Sequence, residues 1–165
     1  MFGLIARAVC AHAMAAQATF AAAAVGEALP LGRVAEAQLA IVVNRASRVD
    51  EISLDQLRRV YLGQSQSLPG AGMVSLVIYT PARASFAQKT LGLPESALRQ
   101  RWIGILFRAE APAPPVDVSD PDEVKQYVRN HPDALAFLPA ANVDATIKVL
   151  RVNGKMPTDA NYPIR

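Results

Sequence analysis

Three short apolar runs set the narrowest limits on what this chain can fold into: Leu39-Ala40-Ile41-Val42-Val43, Val74-Ser75-Leu76-Val77-Ile78-Tyr79 and Leu135-Ala136-Phe137-Leu138. An apolar run without polar alternation suits a strand covered on both faces, as in parallel or mixed sheets. Between these runs the apolar spacing changes to the helical three and four. The order is strand, helix, strand, two helices, helix, strand, with a last strand expected over Thr146 to Val152. That alternation predicts an α/β domain, a mixed sheet flanked by helices.

The helix boundaries are written in capping residues. Ser53 with Gln56 three positions on forms a capping box, Ile52 and Leu57 supply the hydrophobic staple, and Gly63 marks the stop. Leu54, Leu57, Val60 and Tyr61 make the inner face of that helix. Thr80-Pro81 opens the next, with Pro81 at the first helical position, and Gly92 closes it. A further helix begins at Pro94 and carries Leu98, Trp102, Ile105 and Leu106 inward, so Trp102 reads as a core anchor. Pro112 to Pro115 form an extended connector, and Asp120 caps a helix that stops before His131-Pro132.

The chain of 165 residues is 52% hydrophobic, and part of that excess belongs to its start. Arg7 precedes an apolar, alanine-rich run from Ala8 to Val25, with small-residue exits at Ala22-Ala23-Ala24 and Ala35-Glu36-Ala37. This pattern predicts a secretory leader over residues 1–24, or to 37, and a periplasmic protein; a retained helix is the alternative. Cys10 lacks the small-residue context of a lipid-acylation site. The domain is then expected over 38–154, with 155–165 as a C-terminal tail.

Charge and cysteine exclude several classes. Seventeen Lys and Arg against fourteen Asp and Glu give +3, and the densest basic stretches, Arg58-Arg59 and Arg99-Gln100-Arg101, lie at helical spacing, so no nucleic-acid surface is expected. The lone Cys10 leaves the remainder without a disulfide framework, a cysteine zinc site or a cysteine nucleophile. His131, beside Pro132 at a helix end, suits the carboxyl-terminal dipole better than a base or metal ligand. Gly70-Ala71-Gly72 precedes a strand, the wrong side for a nucleotide-binding loop. Neither an enzyme nor a cofactor is indicated.

What the pattern does offer is a strand, Val74 to Tyr79, that delivers Thr80 to a helix start with Arg83 and Ser85 close behind. Helix starts at strand ends favour anions. Plain capping by Thr80, with Arg83 in solvent, is the simpler alternative. Asn44 to Ser47, the polar loop after the first strand, completes the candidate ligand set of Thr80, Arg83, Ser85, Asn44 and Ser47.

The run Ile52-Ser53-Leu54-Asp55-Gln56-Leu57-Arg58-Arg59-Val60-Tyr61-Leu62-Gly63-Gln64 resembles the "LSLEQLRRIFLGK" segment of substrate-binding proteins of phosphate ABC transporters, particularly their short one-domain relatives. Further similarity follows in order at Arg83-Ala84-Ser85-Phe86, Arg101-Trp102, Pro114-Pro115 and Ala134 to Pro139, covering about Leu39 to Gly154. The resemblance implies a single lobe of a type 2 periplasmic binding protein, a phosphate-like oxyanion as ligand, and an inner-membrane permease as partner. The family's Ser-Gly-Thr helix start reads Thr80-Pro81-Ala82 here, and its arginine position falls near Leu76, with Arg83 as the substitute. Two functions follow: solute binding for ABC-type transport, or a periplasmic interaction or sensory module that keeps the fold and binds a protein partner.

Overall fold

A computed structural model describes residues 38–108 and 113–164; the expected leader and its cleavage points lie outside these residues. The centre is a five-stranded mixed sheet. Its strands are β1 (Leu39–Asn44), β5 (Ser75–Tyr79), β6 (Val116–Val118), β7 (Ala134–Pro139) and β8 (Ile147–Val149), in the spatial order β6-β5-β7-β1-β8. Two-stranded pairs join β2 (Glu51–Ile52) to β9 (Arg151–Val152) and β3 (Ser67–Leu68) to β4 (Gly72–Met73).

Every residue of β1 is buried, as its unbroken apolar run predicts. Leu39, Ile41 and Val43 enter one core with Leu76, Ile78, Leu135 and Phe137, while Ala40 and Val42 enter a second with Val77, Ala136 and Leu138. Helices α1 (Leu54–Tyr61), α2 (Arg83–Phe86) and α3 (Glu95–Phe107) cover the first face, and α4 (Pro121–Asn130) covers the second. Tyr61, Phe86 and Phe137 form the centre of the first core, with the two phenyl rings stacked 4.0 Å apart.

The α1 capping box forms as the sequence predicts, Ser53 accepting from Gln56 N and Gln56 returning a bond to Ser53 N. Leu62 ends the helix, and Gly63 follows at φ +68°, where an added Cβ would run into Ile105. Trp102 is buried and its indole N–H donates to Tyr61 O at 3.0 Å, so it ties α3 to the carboxyl end of α1. The helix expected from Thr80 to Leu91 changes winding: a 3-10 turn over Thr80–Ala82, α2, then a π turn over Ala87–Leu91 closed by Gly92 at φ +71°.

Three sequence expectations change. The last run, read as one strand over Thr146 to Val152, is β8 and β9 in different sheets, because the chain turns at buried Leu150, which donates to Ile41 O. The Pro-rich connector leads into β6, an edge strand that three residues centred on a charged Asp117 did not reveal. Residues 155–164, read as a tail, carry Tyr162 and Ile164 into the first core, and burial pushes the Tyr162 hydroxyl up to about 12.

Candidate functional site

Strand direction decides which of the candidate residues can meet. β5 is parallel to both β6 and β7, so Tyr79, Val118 and Pro139 finish at one end of the sheet. β1 is antiparallel to β7, pairing Leu39 with Pro139 and Val43 with Leu135. Asn44 therefore emerges at the opposite end, beside the start of β7. The length of β5 alone separates the two ends by roughly 13 Å. Thr80 and Arg83 meet at one, with Ser85 on the same short helix as Arg83; Asn44 and Ser47 lie at the other, and the single five-residue site expected from the sequence divides in two.

At the Thr80 end, the 3-10 turn begins without a side-chain cap hydrogen bond. The Thr80 hydroxyl instead accepts from Arg83 Nη2 at 3.2 Å. Arg83 is 9% exposed, not the solvent-facing side chain of the simpler alternative. Its Nη2 also meets Asp117 Oδ2 at 2.8 Å and its Nη1 lies 3.6 Å from Glu95 Oε1, while Nε is buried without a hydrogen-bond partner. Glu95 is shared with Arg99 at 2.8 Å. Thr80 is exposed on the 3-10 turn, and Ser85 is half-buried on α2, two residues past Arg83 and so on the other side of that helix. Two carboxylates thus face one buried guanidinium, so the positive ends available to an anion here are the helix start and the outer rim of Arg83, with no net cationic charge behind them.

Asn44 has a different occupation. It is 8% exposed, its Nδ2 donates to Val128 O and Arg129 O, both at 2.8 Å, and its Oδ1 accepts from Ala46 N. The two Nδ2 bonds hold the end of β1 to the last turn of α4, and the Oδ1 bond closes the loop that follows β1. Ser47 O accepts from Lys148 Nζ at 3.0 Å, and Ser47 Oγ accepts from Val49 N. Lys148 also pairs with Asp50, whose carboxyl it holds below the usual carboxylate range. This end is a fastening between elements.

His131 sits at the carboxyl end of α4, its Nδ1 2.9 Å from Tyr127 O and its ring stacked on Tyr127. Among the described residues no group of three or more His, Cys, Asp or Glu side chains converges as a metal site. Asp117 and Glu95 are the site members that sequence reasoning missed. Glu95 reads as a first-turn acid of α3, and Asp117 reaches Arg83 only through the pairing of β6 with β5.

No family model matches the chain. Solved structures do. An ABC-type phosphate transport receptor from Vibrio cholerae superposes with a TM-score of 0.58 at 23% identity, covering 73% of this chain and 48% of that one. A phosphate ABC transporter substrate-binding protein with bound phosphate from Clostridium perfringens gives 0.59 at 16%, covering 77% and 51%. PstS from Borrelia burgdorferi gives 0.53 at 14%, covering 77% and 53%. The chain shares their fold. It spans about half the length of each, and helices flanking a mixed sheet correspond to the single lobe that the sequence resemblance implies. No helix among the described residues is long and apolar enough to cross a membrane.

Proposed function

We propose that this chain is an exported solute-binding domain that holds a small phosphate-like oxyanion, without covalent chemistry, at the Thr80 end of β5 in the service of ABC-type transport. The observation that carries the reading is the turn at Thr80–Ala82: a strand end of the phosphate-receptor fold delivers a hydroxyl and an uncapped helix start beside a buried arginine. In this reading residues 1–24, or to 37, direct export to the periplasm, 38–154 form the binding domain, and an inner-membrane permease is the partner. Asn44 and Ser47 take no part in the ligand shell.

Because Asp117 and Glu95 offset Arg83, the affinity rests on one or two charge-assisted hydrogen bonds of about 1.5–3 kcal/mol each, and binding is weak and salt-sensitive. Titration calorimetry with inorganic phosphate at low ionic strength tests it. The wild type is expected to give heat, and Thr80→Val to bind roughly tenfold more weakly through loss of one such bond. A wild type that gives no heat refutes the oxyanion reading. The second reading, an interaction module of the same fold, is favoured by one observation: α3 exposes Ile103, Leu106 and Phe107 at 47%, 40% and 87%.

A further inference from the structure

A helix lying on a globular domain normally buries one face and presents a polar one. α3 departs from this. Its inner face carries Leu98, Trp102 and Ile105, all buried, and its outer flank carries Ile103, Leu106 and Phe107 around a shallow hollow of about 330 Å³. Phe107, 87% exposed, is the most exposed of the large apolar side chains described. Clustered apolar exposure of this kind marks a contact surface.

The spacing on this flank indicates what covers it. Arg99, Ile103 and Phe107 recur every four residues, so they line one side of the helix with Ile103 at the middle and the other two about 6 Å above and below it. A second α3 laid antiparallel across the first at Ile103 brings Arg99 level with the partner helix's phenyl ring, and by symmetry does so twice. Guanidinium over an aromatic face is an attractive pairing, and aliphatic Ile103 meets its own copy at the two-fold axis. Arg99 is already neutralised by Glu95 at 2.8 Å, so bringing two such helices together sets no unbalanced arginine against another.

We propose that the α3 flank is a homodimer interface, with the two helices crossing antiparallel at Ile103. The occupant is a second copy of this chain, and the contact is independent of any anion at Thr80.

Sedimentation equilibrium of the purified chain, with and without Phe107→Ser, provides the first test. The wild type is expected to associate reversibly in the micromolar range and the variant to associate at least roughly tenfold more weakly. Phe107 is too exposed for its loss to unfold the domain, and far-ultraviolet circular dichroism verifies this. A Cys10→Ser, Ile103→Cys double variant provides the second. Under mild oxidation it should form a disulfide-linked dimer, since residue 103 lies on the axis, whereas a cysteine placed at exposed Gln126 on α4 should not. A wild type that stays monomeric, a dimer unaffected by Phe107→Ser, or equal cross-linking from both positions overturns the proposal. So does a monomer that instead sediments with phosphatidylglycerol vesicles in a Phe107-dependent way, which would assign the flank to a lipid surface.

Discussion

Phe137→Ala is expected to lower the free energy of unfolding by about 3–5 kcal/mol. The phenyl ring is 1% exposed, stacks on Phe86 at 4.0 Å and meets Tyr61 edge-on at 5.8 Å. Its removal opens a cavity beneath the helix that carries Arg83, in a core too well fastened to close over it: Tyr61 is held by Leu135 O and Val77 O through its hydroxyl, and by Trp102 through its carbonyl. For a domain of this size the melting temperature should fall by roughly 10–20 °C. Urea unfolding checks the claim through a lower midpoint at unchanged slope. Phe107→Ala is the control, the same residue type at 87% exposure, and should shift stability by no more than about 0.5 kcal/mol. Equal effects at the two positions would contradict the assigned core.

The strands that could be read in the sequence were those with both faces covered, because burial on two sides imposes an apolar residue at every position. β1 and β7 are of this kind, and both appear as unbroken runs. β6 is not: an edge position leaves Asp117 at the rim, so three residues with a charge in the middle carry no strand signal. Two helix starts were equally legible, since Ser53 and Asp120 cap through local bonds that depend on neighbouring residues alone, whereas the expected Thr80 cap does not form. The candidate site was legible only in its local part. Thr80 and Arg83 are three residues apart and their contact follows from a helical turn. The partners that decide the charge of the site, Glu95 and Asp117, arrive from α3 and β6, and nothing local announces them. The same limit misplaced Asn44 and Ser47, whose polar loop follows a strand as Thr80 does; strand direction, a property of the whole sheet, put that loop at the far end.

That reassignment makes Asn44 the most informative polar residue to change. Asn44→Leu should cost about 2–3 kcal/mol, because Val128 O and Arg129 O at the last turn of α4 lose their donor in a buried setting. Asn44→Asp should cost more at neutral pH. A carboxylate cannot donate to those carbonyls, and it places negative charge against the negative end of the helix dipole. Burial and those neighbours raise the carboxyl's folded pKa above its unfolded value near about 4, so the folded state binds more protons. Stability of this variant therefore falls as pH rises past the unfolded pKa, and most of the excess deficit over Asn44→Leu disappears below about pH 4. Chemical denaturation of the three proteins across that range reads the crossing directly. In the same preparations the heat of phosphate binding, measured at a temperature where each is folded, should be unchanged, while Thr80→Val alters it. A phosphate response that tracks Asn44 would instead return this residue to the ligand shell, against the opposed ends to which β1 and β5 deliver the two loops.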